Sequence, residues 1–335
     1  MIRFILNKVP RPLLQRLAGL AMPLVRLYYS VGRGPARGKV EVGLRARGDS
    51  MEAGRGGRVK DKGVECPICG GRYRRFMPYG YVEVRKNALC PGCLSLERHR
   101  LLWLWLGRQT DLLKEGRQTD PPTSGPKFLH IAPEVCLSKR FKKIYGSKRN
   151  EGFRQRGADA APTEDAREGI VQNVQTRPSS EEARQVRRDH GSYITADLES
   201  PLADVRLDVQ NITFADGAFD VVFCNHVLEH VPDDRLAMRE MFRVMRPGGW
   251  GVLLSPVDRG REATFEDDSI TSPEERTRVF GQYDHRRVYG RDYGRRLAEA
   301  GFEVSEIDFF ATLTPDEQRR FGLRTELLHI VRKPR

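Results

Sequence analysis

One stretch near the middle of the chain, FDVVFCNHVLEHVPDDRLAMREMFRVMRPGGWGVLLSPVD, limits the possible folds more than any other. Its first residues, FDVVFC, predict a strand buried on both faces, because they are almost wholly apolar. A polar loop follows, and then a helix from Asp233 whose apolar residues share one face. These residues are Leu236, Met241, Phe242, Val244 and Met245. Pro-Gly-Gly is predicted to end the helix at Gly248, before a second apolar strand.

The same alternation of strand and helix continues on both sides of this stretch. We expect seven strands, near residues 127–131, 192–196, 204–208, 219–224, 249–255, 302–307 and 326–332. We expect helices near residues 136–145, 233–246 and 290–300. The predicted fold class is α/β, with a Rossmann-like, seven-stranded and mostly parallel sheet covered by helices on both faces. Ligands of such sheets bind at the carboxyl ends of the strands, so polar residues there are the functional candidates.

Four cysteines upstream of the sheet predict a metal site. They form two Cys-x-x-Cys pairs, CPIC at 66–69 and CPGC at 90–93. This spacing is that of a zinc ribbon, in which each pair gives two thiolates to one tetrahedral ion. The alternative is two disulfides, which would require an oxidising compartment. Cys136 and Cys224 lie far apart in apolar stretches, which favours a reduced, cytoplasmic protein. The expected ligands of a structural Zn²⁺ are Cys66, Cys69, Cys90 and Cys93.

The positive charge is concentrated in the first third of the chain. The net charge is +13, and residues 1–127 hold 25 Lys and Arg against 10 Asp and Glu, whereas residues 128–335 hold the other 33 and 35. This asymmetry is typical of a surface that faces nucleic acid or anionic lipid, although solvated basic arms give the same pattern. Between the cysteine pairs, basic and aromatic residues alternate. That alternation indicates either a nucleic-acid surface or a hairpin with an aromatic inner face.

The first 30 residues place leucines at helical spacing with basic residues to the side. They hold no uninterrupted run of about 18 apolar residues, so no membrane span is predicted there. Two interpretations fit these residues: a basic helix at the surface of an anionic membrane, or a helix packed on the protein's own core. The expected organisation is an N-terminal helix region at 1–30, a flexible Gly/Arg-rich linker at 31–63, a cysteine module with its connecting helix at 64–106, a second linker at 107–126, and a sheet domain at 127–335 with a disordered insertion at 146–190.

The run FDVV…LEHV…RVMRPGG resembles class I S-adenosylmethionine-dependent methyltransferases, in particular the group called type 11. The likeness covers residues 127–258 well and the remainder loosely. The whole chain is also similar to bacterial methyltransferases that place a small zinc ribbon before the catalytic domain. The motifs that carry this second likeness are CPIC, NALCPGCLSLERHRLLWL, LHIAPE, YITADLESP, CNHVLEHV and FGQYDH. The resemblance implies S-adenosyl-L-methionine as the cofactor and leaves the methyl acceptor open.

In that family the first strand ends in an acidic residue and a glycine-rich turn. Here His130 stands in the acidic place and Ala132-Pro133-Glu134 in the turn. A dinucleotide needs bare backbone N–H groups around its pyrophosphate, whereas S-adenosylmethionine has no phosphate. The missing glycines therefore argue against NAD. Glu134 can supply an anion for the ammonium and sulfonium groups; alternatively, it only caps the helix that follows.

The ends of the next strands complete the predicted cofactor site. By the resemblance, Asp197 holds the ribose hydroxyls, and Asp208 with Val209 holds the adenine. Asn225 would lie close to the methionine part or the reacting methyl group. Each acid could instead be an ordinary turn residue.

Methyl transfer is an in-line displacement that requires alignment and, for an alcohol, removal of a proton. The candidate bases, all at strand ends or in one later loop, are His226, His230, Asp284 and His285. Arg286 and Tyr289 are candidates for orienting the acceptor. Many such enzymes use no base, so alignment alone is the alternative.

Three classes of function follow. The favoured one is methylation of a small molecule or a cell-envelope saccharide or lipid, with residues 1–30 at the membrane surface. The second is an RNA methyltransferase that holds RNA with the cysteine module and the basic linker. The chain has no Asn-Pro-Pro-Tyr motif for base amines and no cysteine placed like a pyrimidine nucleophile, which counts against RNA. The third is a scaffold that binds S-adenosylmethionine without catalysis.

Overall fold

A computed structural model describes residues 63–80, 84–113, 126–145, 192–200 and 203–335. The predicted N-terminal helix region at 1–30 and the predicted insertion at 146–190 lie outside the described residues. So do nearly all of the first linker and residues 114–125 of the second.

The cysteine module consists of two antiparallel strand pairs and a helix. Strand β1 (Val64–Glu65) pairs with β2 (Arg72–Tyr73), and β3 (Met77–Tyr79) pairs with β4 (Arg85–Leu89). Helix α1 (Glu97–Gln109) follows and continues to Gln109, so the second linker begins later than the predicted 107. The first cysteine pair forms the turn between β1 and β2, and the second pair comes directly after β4.

In the described part of the chain, nine further strands follow, of which seven form one sheet and two form a separate hairpin. They are β5 (Phe128–Ile131), β6 (Tyr193–Asp197), β7 (Val205–Arg206), β8 (Phe219–Asn225), β9 (Met245–Leu254), β10 (Phe265–Glu266), β11 (Arg287–Val288), β12 (Glu303–Ile307) and β13 (Leu328–Arg332). β10 and β11 make the separate hairpin, and the sheet order is β12-β13-β9-β8-β5-β6-β7. β13 is antiparallel to both of its neighbours and the other pairs are parallel. The predicted fold class is confirmed.

The strand order reverses between β5 and β8. The chain runs outward from β5 through β6 to β7, and then returns to place β8 on the other side of β5. Open α/β sheets bind ligands at such a reversal, beyond the carboxyl ends of the strands. Ile131 and Asn225, the last residues of these two strands, therefore mark the expected binding crevice.

Three helices of the sheet region occur where the sequence predicts them, and two further short ones were not predicted. The helices are α2 (Val135–Tyr145), α3 (Asp234–Val244), α4 (Pro273–Phe280), α5 (Tyr293–Glu299) and α6 (Pro315–Arg320). The predicted end of α3 at Gly248 is wrong, since the helix stops at Val244 and β9 already begins at Met245. Pro247 explains this, because proline disfavours the helical conformation of the residue before it.

The two faces of the sheet are covered by different elements, and the cysteine module covers part of one face. Helices α3 and α5 pack on one side. Helices α1 and α2 pack on the other, where the rings of Trp105 and Trp250 meet edge to face at 6.2 Å. The buried apolar residues of α1, each stabilising the fold by about 1.5–3 kcal/mol, are Leu101, Leu102, Trp105 and Leu106. The module and the sheet thus share one hydrophobic core.

A buried arginine joins the module to the last part of the chain. The guanidinium of Arg100 donates to the carbonyl oxygens of Ala88 and Ser95 within the module, at 2.9 and 2.7 Å. It also donates to those of Phe321 and Gly322, at 2.7 and 2.6 Å. Arg100 is fully buried, and the five N–H groups of its rigid planar head allow several carbonyls to be satisfied at once.

Candidate functional site

The glycine-free turn after β5 is held by a chain of three buried polar side chains. Tyr193 Oη lies 2.7 Å from Nδ1 of His130, and Nε2 of His130 lies 2.8 Å from Oε2 of Glu134. A carboxylate only accepts hydrogen bonds, so His130 donates from Nε2 and accepts the Tyr193 hydroxyl proton at Nδ1. His130 is completely buried, and it supports Glu134 from behind rather than facing the crevice.

Ala132 takes the backbone conformation that a glycine would normally supply. Its φ is 47°, and its N–H donates to the carbonyl oxygen of Ala196 at 2.8 Å. His226, directly after β8, also has a positive φ, of 56°. Non-glycine residues with positive φ are uncommon and concentrate at functional sites. Both lie at the strand reversal, one beyond each of the two strands that flank it.

Two further side chains surround the Glu134 carboxylate. Asn225 Nδ2 donates to Glu134 Oε1 at 3.1 Å, and His99 Nε2 lies 3.8 Å from the same oxygen. Nδ1 of His99 accepts the N–H of Leu96 at 3.1 Å, which places the imidazole proton on Nε2. His99 was not predicted as a site residue. The signal for it was its place in SLERHRLL, directly after the second cysteine pair.

The electrostatics of this cluster favour a cationic ligand. Burial raises the pKa of Glu134, but the hydrogen bond from His130 and the nearby imidazoles outweigh burial and bring that pKa down to about 2. Burial lowers the pKa of His99 to about 3, so His99 is neutral. The Oδ1 atom of Asn225 is buried and has no partner among the described residues. An anionic carboxylate and an unpaired amide oxygen together suit an ammonium group, and this donor set fits the methionine part of S-adenosylmethionine.

Each of the acids predicted at the ends of β6 and β7 uses one carboxylate oxygen to accept backbone N–H groups of the turn that follows it. Asp197 Oδ1 accepts the N–H groups of Glu199 and Ser200 at 2.8 and 2.7 Å. Asp208 Oδ1 accepts the N–H of Gln210 at 2.9 Å. Neither Oδ2 atom makes a hydrogen bond within the described part of the chain. The turns thus orient both carboxylates and leave one oxygen of each for a ligand. Val209 is buried in the core beneath them.

A cavity of about 640 Å³ lies beside this crevice, beyond the ends of β8 and β9. Tyr79 and Arg98 line it from the cysteine module, His226 and His285 from the sheet side, and Arg324 from the segment before β13. The cysteine module therefore forms one wall of the cavity. The lining carries acidic, basic and imidazole groups, which fits a polar acceptor.

Three of the four predicted bases, His226, His230 and His285, line this cavity around a residue that sequence reasoning missed, and the fourth, Asp284, lies beside His230. Glu229 is buried, and its Oε1 lies 3.4 Å from His226 Nδ1 and 4.0 Å from His230 Nε2. His230 Nδ1 lies 3.5 Å from Asp284 Oδ2, and the rings of His230 and His285 meet edge to face at 4.7 Å. The signal for Glu229 was its place inside LEHV. The structure thus groups all four predicted bases.

Charge within this group is set by Glu229. Burial and Arg98 lower the pKa of His226, but Glu229 and Glu326 outweigh them and raise that pKa above its usual value. Burial raises the pKa of Glu229, yet His226 more than compensates and lowers it. Burial lowers the pKa of His285, so that imidazole is neutral.

The two residues predicted to orient the acceptor lie differently. Arg286 keeps a partly exposed side chain, 4.0 Å from Asp268. Tyr289 is fully buried, and its hydroxyl donates to Asp234 Oδ2 at 2.7 Å. The predicted acceptor contact of Tyr289 is wrong, because the ring points into the core and away from the cavity.

The four predicted zinc ligands converge. Their Sγ atoms all lie within 4.8 Å of one another, with Cys66–Cys93 at 3.5 Å and Cys69–Cys90 at 3.8 Å. A tetrahedron with Zn–S bonds of ~2.3 Å has edges of ~3.8 Å, so the spacing fits one zinc ion. All four are free cysteines, and the sulfurs are too far apart for disulfides.

The segment between the cysteine pairs has an aromatic inner face. Tyr73 and Phe76 are buried, while Arg72, Arg74 and Arg75 are exposed. This arrangement is the hairpin alternative, and it leaves a basic outer surface. No helix among the described residues is both long and apolar enough to cross a bilayer.

Comparison with known proteins gives a consistent result. The family model described as "Methyltransferase domain" matches residues 137–253. The 27-O-demethylrifamycin SV methyltransferase of Amycolatopsis mediterranei is 30% identical, over 43% of this chain and 53% of that protein. The ubiquinone biosynthesis O-methyltransferase of Pseudomonas aeruginosa is 33% identical, over 32% of this chain and 53% of that protein. The chain thus spans about half the length of these curated relatives.

A solved structure is also similar, more distantly. It is the 1,6-didemethyltoxoflavin-N1-methyltransferase of Burkholderia thailandensis with bound S-adenosylhomocysteine, at 17% identity. The match covers 47% of this chain and 67% of that chain, with a TM-score of 0.28.

Proposed function

Since residues 137–253 form a domain of the class I S-adenosylmethionine-dependent methyltransferases, we propose that this chain methylates an oxygen atom of a small-molecule or cell-envelope acceptor. The observation that carries the proposal is the adjacency of two sites. Glu134 and Asn225 form an anionic crevice at the strand reversal, and the next residue, His226, lines the cavity. A cofactor in the crevice and an acceptor in the cavity would meet at His226.

The residues of the crevice would hold the cofactor. When bound, S-adenosylmethionine would supply an electrophilic sulfonium methyl group, which an acceptor lone pair attacks in line with the C–S bond, with the thioether sulfur as leaving group. Glu134 and the Oδ1 atom of Asn225 would accept from the ammonium group. The Oδ2 atoms of Asp197 and Asp208 would accept from the ribose hydroxyls and the adenine amine.

His226 is the proposed general base. Its Nδ1 faces the Glu229 carboxylate, which orients the ring and stabilises the imidazolium that forms. Its Nε2 lies 3.6 Å from Glu326 Oε1 and makes no hydrogen bond within the described residues. His226 Nε2 would take up the hydroxyl proton of the acceptor as the acceptor oxygen gains the methyl group.

We further propose that the four cysteines hold a structural Zn²⁺. The cysteine module places Tyr79 and Arg98 at the cavity wall, and Arg100 connects the module to Phe321 and Gly322 by hydrogen bonds. The zinc would therefore stabilise the acceptor site without touching the reacting atoms. Contact of residues 1–30 with an anionic membrane, and a cytoplasmic location, stay proposals.

RNA is the second candidate acceptor, and one observation favours it. Arg72, Arg74 and Arg75 are exposed on the outer face of the module. Against it, the histidine cluster lies inside a cavity, which an extruded base or a small molecule would have to enter.

Incubation with methyl-labelled S-adenosylmethionine tests the proposal. Purified chain is mixed with small-molecule extract, with envelope lipid and saccharide fractions, or with total RNA. We expect label in one of the first two classes, and its loss with His226→Gln. Label in RNA alone would select the second candidate. Absence of transfer to every fraction, by a sample that binds S-adenosylhomocysteine, would favour the non-catalytic scaffold.

A further inference from the structure

The geometry points to a second metal site in this chain, in which Glu229, His230 and His285 hold a divalent first-row transition ion at the cavity. One ligand atom from each of these residues lies within 4.8 Å of the others. All three residues line the cavity. Glu229 and His230 come from the loop after β8 and His285 from the segment before β11, so separate parts of the chain converge on one point.

The outer nitrogen of His285 is hydrogen-bonded and that of His230 faces a carboxylate, an arrangement found in metal-ligating histidines. His285 Nδ1 lies 3.2 Å from the carbonyl oxygen of Phe280 and donates to it, which leaves the Nε2 lone pair free. His230 Nδ1 lies 3.5 Å from the Asp284 carboxylate. A histidine that binds a metal almost always donates its other N–H to a carboxylate or a backbone carbonyl. Phe280 and Asp284 supply one of each.

The carboxylate is fixed in the same way. Ser255 Oγ donates to Glu229 Oε2 at 3.1 Å, which turns Oε1 toward the imidazoles. Oε1 then lies 4.0 Å from His230 Nε2, too far for a hydrogen bond. Two ligands on one ion, each about 2.0–2.2 Å from it, are separated by three to four ångströms, and the observed gap is of that order.

The ligand set indicates the kind of ion and its role. Two imidazoles and one carboxylate suit zinc, iron and similar divalent ions, unlike the all-thiolate set of the module. Three protein ligands leave coordination positions open, and these would face the cavity. This role rests on the proposed methyl transfer. The acceptor hydroxyl would occupy an open coordination position, and the ion would lower the pKa of that hydroxyl.

Titration with Co²⁺ tests the site, on full-length chain that retains zinc in its cysteine module. Calorimetry should show about one added equivalent. The visible spectrum should lack thiolate-to-cobalt charge-transfer bands, which would instead indicate exchange at the cysteines. His230→Ala and His285→Ala should each weaken Co²⁺ binding at least tenfold, while His329→Gln, a histidine that lines the same cavity outside the cluster, should leave it unchanged.

The side chain of His230 is 29% exposed, so its truncation tests the site in folded protein even if the His285 variant fails to fold. Failure of the wild type to bind Co²⁺ outside the cysteines, or equal binding by wild type and His230→Ala, would overturn the inference. Titration of the same samples with S-adenosylhomocysteine separates the two proposals. Cobalt binding without S-adenosylhomocysteine binding would support the metal site and contradict the proposed function. Binding of S-adenosylhomocysteine without cobalt would support the proposed function and contradict the metal site.

Discussion

The imidazole of His130 donates to the carboxylate of Glu134, four residues further along the chain, with 2.8 Å between Nε2 and Oε2. Because His130 and Tyr193 are buried, this contact fixes Glu134 from the protein side and leaves the crevice side open. His130 stands where the methyltransferase family has an acidic residue. The negative charge at the strand reversal is therefore carried by Glu134 in the turn, and not by the residue at the strand end.

The conformation of Ala132 gives the first prediction. A left-handed backbone costs an L-residue about 1–2 kcal/mol, and a β-branched side chain more. Ala132→Val should therefore lower the free energy of unfolding by about 2 kcal/mol. Ala132→Gly should change it by less than about 1 kcal/mol, because relief of strain offsets the greater entropy of the unfolded chain. Urea unfolding of the two variants measures the difference, and equal stabilities would contradict the role given to this turn.

Arg100 gives the second prediction. Removing its guanidinium leaves the buried carbonyl oxygens of Ala88, Phe321 and Gly322 without this donor, at a cost of about 1–3 kcal/mol each, whereas that of Ser95 still accepts the N–H of Cys90. Arg100→Met should lower the free energy of unfolding by at least about 3 kcal/mol. The matched substitution Arg74→Met, at an exposed position, should change it by less than about 0.5 kcal/mol. A similar small effect for both would mean that the module does not depend on its tie to the end of the chain.

The cysteine cluster gives the third prediction. Purified protein should contain about one zinc per chain at the cysteines, and Cys93→Ser should lose it. Cys136→Ala, which removes a buried thiol outside the cluster, should retain it. Atomic-absorption analysis after gel filtration counts the metal, and thermal unfolding should show a lower midpoint for Cys93→Ser alone. A stable wild-type chain with no zinc would refute the site.

His99 gives a prediction about pH. In the unfolded chain this imidazole takes up a proton near its ordinary pKa of 6.5, whereas in the folded protein burial lowers the pKa to about 3. The unfolded state therefore binds more protons in this window, and stability must fall as the pH drops below about 6.5. Between pH 7 and pH 5 the contribution of His99 is about 2 kcal/mol.

His99→Gln should remove that part of the pH dependence. We expect the loss of unfolding free energy between pH 7 and pH 5 to be about 2 kcal/mol smaller in the variant than in the wild type. Burial also lowers the pKa of His329, to about 4, so His329→Gln should reduce the pH dependence as well, and the effects of the two substitutions should add. An unchanged pH profile for His99→Gln would show that His99 is not held neutral beside Glu134.

The sheet could be predicted because its strands carry their own signal. Phe219 to Cys224 are apolar enough to be buried on both faces, and the predicted strands agree with the observed ones to within a few residues. The hairpin of β10 and β11 was missed because each strand has only two residues and the two strands lie far apart in the chain. The end of α3 was misplaced because Gly248 was given more weight than Pro247.

The site was predictable only where its residues follow strands. Asn225, Asp197 and Glu134 could be placed by that rule, since the carboxyl ends of parallel strands share one edge. His99 could not, because it reaches Glu134 through the packing of α1 on the sheet, which no local pattern in LLWLWL specifies. Glu229 was not predicted because it lies in sequence between His226 and His230, which were themselves the candidate bases. Only its burial between the two imidazoles shows that it positions them.

The most direct test of the account is calorimetric titration of wild type, Glu134→Gln and Glu199→Gln with S-adenosylmethionine and S-adenosylhomocysteine. Glu199 is exposed near the crevice and serves as the matched control. We expect micromolar binding of both ligands by the wild type and by Glu199→Gln, and at least tenfold weaker binding by Glu134→Gln, since a charged hydrogen bond contributes about 1.5–3 kcal/mol. Equal binding by all three proteins, or none by folded wild type, would contradict the claim that the glycine-free turn is the cofactor site.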